Sequence, residues 1–507
     1  MNLNMNRTIR RSLISMIVLG MLSCSQSPNS TPVKKIGFLR DQYAEAAFQI
    51  DTLLNKSPFE MAHWGVKIIR ANTGEVIYER NAKKMFMPAS NMKLYSTSAA
   101  LCLLGPDFTY RTTFWTDGTI DETGVLTGNI YIQGSGDPTW SWRFYDNNYD
   151  SLFIRFADSI KAQGITKING SIVGDDNIFD DIPLGYSWSW DDEPYYYGAQ
   201  ISGLSFNENY IDYRLTPGKI GENARIDPYP NTDFVKVQND LLTAPIDSVT
   251  DFENGRKRGQ NSGWFTGRIS AADSARWDAI TVENPTLFTG YVLKQFLERQ
   301  GIEVTGEPID GDDWTAQVDY ERYQPIFTHT SQPLSEIIAK VNKPSQNFIA
   351  ETLQKTLGAI LGDDGSSKSG IKVQMALYDS LGMDTRNLTI RDGSGLSRLD
   401  LVSPNTTASL LQMMWNHPDR DIFITSLPIS GVDGTIEKRM VGTIAEGRVH
   451  AKTGYVSYVR SLSGYLWTLG GEPIIFTLMV NHYTVPTSLA NKIQDTICTI
   501  LVGMDYE

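Results

Sequence analysis

Cysteine is nearly missing. Three in 507 residues are too few for the disulfide framework of a small secreted scaffold. If Cys24 is modified, Cys102 and Cys498 remain, each in an apolar, helical-looking segment where a buried free thiol is expected rather than a bridge. Histidine is almost as scarce. His63, His329, His417, His450 and His482 stand apart, with no HxH or HExxH spacing, so no metal site is expected. Positive charge is in deficit: the net charge is -13, which excludes the basic face of a nucleic-acid partner. Long hydrophobic runs are absent too. The apolar stretch 13–22 is far shorter than the roughly 20 residues that span a bilayer. What is present is ordinary globular composition, 41% hydrophobic and 20% charged. The chain is longer than one core usually holds, so two or three domains are expected.

Arg7, Arg10 and Arg11 precede that short apolar stretch, the arrangement of a secretory signal. It ends in Met21-Leu22-Ser23-Cys24. This resembles a bacterial lipoprotein cleavage box, in which the cysteine takes lipid. Met21 stands where leucine is usual, so plain signal cleavage is the alternative. Residues 1–23 therefore read as a signal and 24–36 as a tether. The mature protein is expected in the periplasm or cell envelope, held at the membrane only through a lipid on Cys24.

Residues 64–80 alternate around Asn72-Thr73-Gly74, a hairpin pattern. A helix is expected from Met92 to the break at Gly105-Pro106. Strand-like alternation returns over 109–133, a helix over 151–163, a strand over 170–174 and a helix over 286–300. The stretch 186–197 is crowded with Trp, Tyr, Asp and Glu and has no period. Helical patterns fill 333–416. Three strands are expected over 449–483, with a turn at Gly470-Gly471, and an amphipathic helix over 487–502. The two ends together predict an α/β (α+β) domain of antiparallel sheet flanked by helices, residues 37–110 and 321–507. A mostly β insert, 111–320, interrupts it.

Three motifs carry chemistry, in the order Ser90-Asn91-Met92-Lys93, Ser345-Gln346-Asn347, Lys452-Thr453-Gly454. On a helix, Ser90 and Lys93 are neighbours. A serine hydroxyl is a poor nucleophile until a base takes its proton, and a buried lysine with a lowered pKa is such a base. The helix N-terminus adds a positive field at the serine. A second SxxK, Ser369 to Lys372, lies in the polar run 363–370 and reads as loop. Ser345-Gln346-Asn347 follows a helix at a corner, where Ser345 can relay a proton and Asn347 can bind a substrate amide. The other SxN copies (Ser27, Ser205, Ser403) read as turns or caps. Lys452-Thr453-Gly454 lies in a strand. Lys452 and Thr453 can bind a carboxylate, and Gly454 lets a substrate backbone lie close. The N–H groups of Ser90 and Tyr455 are candidates for an oxyanion hole.

SxxK, SxN and KTG in this order read as a serine acyl-transferase of the penicillin-binding kind. The chain also resembles the class C low-molecular-mass penicillin-binding proteins, the penicillin-binding protein 4 type. That resemblance includes Gly134-Ser135-Gly136-Asp137-Pro138, the segment from Asp392 to Arg398 (DGSGLSR), and the segment from Leu427 to Thr435 (LPISGVDGT). It implies a penicilloyl-serine transferase fold with inserted domains. It implies D-Ala-D-Ala carboxypeptidase and DD-endopeptidase activity on peptidoglycan stem peptides, acylation of the serine by β-lactams, and no cofactor. It also implies an acidic residue from the insert at the amino end of the substrate's diamino acid, with Asp175 chosen and Asp176 the competitor. A β-lactamase, an inactive peptide-binding relative and an esterase are the rival readings.

Overall fold

A hairpin from one end of the chain and a three-stranded meander from the other build one antiparallel sheet in the computed structural model, which describes residues 35–55, 58–316 and 318–505. The signal, Cys24 and the SxN copy at Ser27 lie outside the described residues. Within this unit the elements are numbered among themselves: strands β1 (His63–Arg70), β2 (Val76–Arg80), β3 (Val449–Val456), β4 (Val459–Trp467) and β5 (Pro473–Asn481). Their order across the sheet is β3, β4, β5, β1, β2. β1 lies against β5 with His63 opposite Asn481. β3 is therefore an edge strand, whose outer side is met by the segment 428–430 at Val449 and Ala451 and by no further strand of the sheet among the described residues.

Helices cover both faces. Helix α1 (Lys35–Leu54) comes first, so Lys35 and Ile36 belong to a helix rather than to the expected tether. α2 (Met92–Leu104), α3 (Leu334–Asn342), α4 (Asn347–Leu361), α5 (Ser367–Ser380), α6 (Pro404–Trp415), α7 (Arg420–Ser426) and α8 (Thr487–Val502) follow. Trp64, Val66, Ile68, Phe476 and Leu478 pack with Ile50, Leu54, Ile497 and Leu501, joining one sheet face to α1 and α8. Ile69, Tyr465, Ile475 and Met479 face the other way, into the core made by α2 to α7. Each such side chain contributes about 1.5–3 kcal/mol by leaving water.

α2 lies at the centre of that second core. Every residue from Met92 to Leu101 is buried, Lys93, Ser96, Thr97 and Ser98 included. Buried polar groups need partners. Ser96 Oγ donates to the Gly393 carbonyl at 2.8 Å, and Ser98 Oγ donates to the Tyr95 carbonyl at 3.1 Å.

The insert leaves after Tyr110 and returns before Ser331. These two residues are tied together: Ser331 N–H donates to the Tyr110 carbonyl at 3.0 Å and Tyr110 N–H to Ser331 Oγ at 2.9 Å. The strand Gln324–Thr330, assigned from sequence to the catalytic half, pairs antiparallel with Arg111–Thr116 in the insert's sheet. A strand's own residues do not reveal its partner, so the boundary was drawn too early. The insert has its own aromatic core, including Phe114, Phe153, Phe156, Phe206, Phe265 and Phe288. Its strands are not all antiparallel: Ile130–Gln133 runs parallel to Ile172–Asp175. The expected helices are present as Ser151–Ala162 and Pro285–Arg299. The period-free stretch 186–197 folds back onto the helical layer of the sheet unit.

Candidate active site

The turn that carries Ser90 is held from several sides. Ala89 has φ of 47°, a left-handed conformation that costs a residue with a Cβ about 1–3 kcal/mol. The surroundings over-determine it. Asn481 accepts from Met87 N–H at 2.9 Å and donates to the Met87 carbonyl at 3.2 Å. Ser461 Oγ donates to the Pro88 carbonyl at 2.7 Å. Asn91 Nδ2 donates to the Lys452 carbonyl at 2.8 Å, binding the turn to β3. α2 then begins at Met92, so Ser90 sits at a helix N-terminus.

Lys93 has no exposed surface. Its Nζ lies 2.9 Å from Ser90 Oγ, 2.6 Å from Asn347 Oδ1 and 2.8 Å from the Ser394 carbonyl oxygen. Burial pushes the amine down to about 7, against the pull of Asp392, Glu351 and Asp400. None of those carboxylates is among its hydrogen-bond partners, which are a hydroxyl and two carbonyls.

Ser345 lies between α3 and α4 and Asn347 opens α4, at the helix-to-helix corner expected of them. Ser345 has φ of 66°, which turns its hydroxyl toward β3. There Lys452 Nζ donates to Ser345 Oγ at 2.8 Å and to the Thr453 carbonyl at 3.0 Å. Burial, then the charges of Lys93 and Arg460, push the Lys452 amine well down. Thr453 Oγ1 meets Thr435 Oγ1 at 2.7 Å. The structure thus gathers two hydrogen-bonded sets, Ser90–Lys93–Asn347 and Ser345–Lys452–Thr453 with Thr435 from the segment 427–435, close enough that the charge of Lys93 bears on Lys452.

Gly454 has a different neighbour from the one expected. A Cβ there would lie 2.5 Å from the Pro88 carbonyl oxygen, 3.1 Å from Ser90 N and closer still to Ser461 Oγ. The backbone that needs this glycine is the nucleophile's own turn. β3 also has an outer side, away from β4. Ala451 N–H points outward there, to the Pro428 carbonyl at 2.9 Å. By antiparallel alternation the N–H groups of Thr453 and Tyr455 point the same way.

Asp175 is not drawn into this cluster. Its Oδ1 accepts from Asn177 N–H and Nδ2, and its Oδ2 from the Tyr320 hydroxyl at 2.5 Å. Asp176 accepts from Ser202 at 2.9 Å and from Thr286 at 2.5 Å. Its carboxylate also lies within 4.8 Å of those of Asp310 and Asp312. The second SxxK is helical rather than loop, in α5. Ser369 Oγ accepts from Asp363 N–H at 2.8 Å and Lys372 pairs with Asp363 at 2.7 Å, so this copy closes a helix start. Ser403 caps α6, as expected. Cys102 and Cys498 are free.

Sequence reasoning missed four contributors. Asn481 and Ser461 sit in strands with no motif around them. The Ser394 carbonyl is a backbone group. The fourth is the insert itself. The Tyr197 carbonyl accepts from Asn347 Nδ2 at 2.8 Å, which turns the amide oxygen toward Lys93. Trp188 Nε1 donates to Asp392 at 2.9 Å, and Glu208 accepts from Gln346. Dense aromatic and acidic residues in 186–197 were the visible signal, but their partners were not.

The profile of the D-Ala-D-Ala carboxypeptidase 3 (S13) family matches residues 46–502. A D-alanyl-D-alanine carboxypeptidase of Actinomadura sp. (strain R39) is 34% identical over 464 residues, 89% of this chain and 83% of that protein. The crystal structure of penicillin binding protein 4 (dacB) from Haemophilus influenzae superposes with a TM-score of 0.75 at 24% identity, covering 89% of this chain and 99% of the other. A second structure of that protein, complexed with a novel β-lactam, gives a TM-score of 0.71 at 24% identity and covers 90% and 99%. These two show a shared fold, the penicilloyl-serine transferase architecture.

Gly454→Ala is expected to force β3 off the nucleophile's turn. Overpacking of this kind costs about 1–3 kcal/mol. A lower Tm together with slower labelling of Ser90 by a fluorescent penicillin is the expected result. A wild-type labelling rate would show that the close approach is irrelevant.

Proposed function

The chain belongs to the D-Ala-D-Ala carboxypeptidase 3 (S13) family, and on that premise we propose how its residues divide the work. It is a serine-type D-Ala-D-Ala carboxypeptidase of the penicillin-binding protein 4 type. Ser90 is the nucleophile and Lys93 its base. The observation that carries this assignment is the set of three contacts at Lys93 Nζ. A neutral amine has two N–H bonds and one lone pair. The carbonyls of Asn347 and Ser394 use the two N–H bonds, so the lone pair is left facing the Ser90 hydroxyl. Burial favours that neutral form.

In the proposed cycle Lys93 takes the proton of Ser90, and Oγ attacks the carbonyl of the penultimate D-alanine. The N–H groups of Ser90 and Tyr455 hold the oxyanion. The C–N bond breaks as Ser345 passes its proton to the leaving amine and draws one from Lys452. The proton that Lys93 took passes on to Lys452, leaving Lys93 neutral; water then attacks the ester, and Lys93 takes the water proton and returns it to Ser90 Oγ as the acid is released. The stem peptide lies extended along the free edge of β3, the strand-addition mode of peptide recognition. The paired hydroxyls of Thr453 and Thr435 meet the terminal carboxylate. When the leaving amine belongs to a neighbouring stem peptide rather than to free D-alanine, the same steps cut a cross-link, which is DD-endopeptidase action. β-Lactams acylate Ser90 as substrate mimics.

The envelope location rests on the sequence of residues 1–24 alone, with Cys24 as the lipid-bearing residue. Cys24→Ala is expected to move the protein from the membrane fraction to the soluble fraction on cell fractionation. Unchanged membrane association would remove the lipid anchor from this reading.

Incubation of the mature protein with a fluorescent penicillin is expected to give a stable one-to-one adduct, absent in Ser90→Ala. Rapid turnover without an adduct would make the protein a β-lactamase. Neither labelling nor turnover would make it a binding protein. The pH profile follows from the amine at about 7. The base is the neutral form, so the acylation rate should rise about tenfold per pH unit below that value and level off above it. A rate flat from acid to alkaline pH would exclude Lys93 as the base.

A further inference from the structure

Glu351 is 1% exposed, and no step above uses it. It lies on α4, four residues beyond Asn347, so the two share a helix face. Its Oε1 accepts from Ser394 N–H at 2.8 Å and Gly393 N–H at 3.1 Å, and its Oε2 from Gly393 N–H at 3.0 Å. Asp392, also fully buried, does the same for the rest of the loop. It accepts from Gly395 N–H and Ser397 N–H, both at 2.6 Å, and from the Trp188 indole at 2.9 Å. The amides of 393, 394, 395 and 397 are thus drawn inward by two acids. The carbonyls of Gly393 and Ser394 turn outward to α2, the first onto Ser96 Oγ and the second onto Lys93 Nζ, each at 2.8 Å.

A buried carboxylate is costly to keep unless its surroundings hydrogen-bond it. Burial and the charge of Asp392 push Glu351 up to about 8, against the pull of the Ser394 and Gly393 donors. What the acid adds is a fixed position for one carbonyl. That carbonyl is the second acceptor that decides where the lone pair of Lys93 points.

We propose that Glu351 is a positioning residue for the acylation step: by gripping the Gly393–Ser394 backbone it holds the Ser394 carbonyl on Lys93 and so keeps the amine lone pair on Ser90. The inference rests on Lys93 being the base. It makes chain length and acceptor oxygens, rather than charge alone, the property that matters.

Two substitutions separate these properties. Glu351→Gln keeps the length and one acceptor oxygen but loses the charge. Glu351→Asp keeps the charge but falls one methylene short of the loop. The second-order rate of acylation by a fluorescent penicillin is the readout, with thermal unfolding to confirm folding. Glu351→Gln is expected within about fivefold of wild type, and Glu351→Asp on the order of 30- to 100-fold slower, the cost of roughly an ångström of misplacement. Glu351→Asp at the wild-type rate, or Glu351→Gln as slow as Glu351→Asp, overturns the proposal. Should either variant fail to fold, Ser96→Ala carries the test. It frees the Gly393 carbonyl and gives up the longer bond, 3.4 Å, to the Lys93 carbonyl; a several-fold slower rate is expected, and a wild-type rate overturns the proposal. Failure of the base assignment looks different: wild type itself would then carry no label on Ser90, or would show no pH limb.

Discussion

The site depends on one contact, the 2.9 Å approach of Lys93 Nζ to Ser90 Oγ. A lysine can serve as a base near neutral pH only if its charged form is made unfavourable. Full burial does that here. Burial alone would also let the amine turn toward any polar group nearby. The protein answers with two carbonyls in direct contact and keeps the acids Glu351, Asp392 and Asp400 one layer back. Those acids favour the charged form of the amine, yet they also fix the loop that orients it. The balance leaves an amine that is reactive and aimed.

A second constraint follows from the first. The nucleophile must lie at the start of α2 and also beside the edge strand that receives substrate. The turn from Met87 to Ser90 therefore sits between a helix and a strand, with Ala89 in a left-handed conformation. Asn481, Ser461 and Asn91 grip its carbonyls and amides, and Gly454 removes the side chain that would push it away. Strain in one residue is tolerated because three elements hold it.

The insert is usually the part of such a chain that sequence reasoning treats as an appendage. Here it reaches the chemistry at three points. Tyr197 orients Asn347, Trp188 binds Asp392, and Glu208 binds Gln346. Two of these bonds lead within one further contact to Lys93 or to the loop that holds it. The insert therefore supports the amine of Lys93 through Asn347 and the loop at Asp392.

Much was legible without coordinates. The helix behind Ser90, the terminal strands and the corner at Ser345 announce themselves through period, glycine placement and motif spacing, because each depends on residues close together in sequence. Where the reading slipped, the missing information was a partner. Strand 324–330 belongs to the insert because residues 111–116 pair with it. Gly454 is needed by residues 88–90. The Tyr320 hydroxyl that binds Asp175 comes from far along the chain. The sequence by itself determined which side chains could perform acyl transfer and which local elements would carry them. Only the tertiary structure decided that Lys93 loses its water, that Asn347 and Ser394 share its N–H bonds, and that Glu351 stands behind them. These are contacts between residues 43 to 301 apart in sequence, set by how layers pack, and no local pattern encodes them.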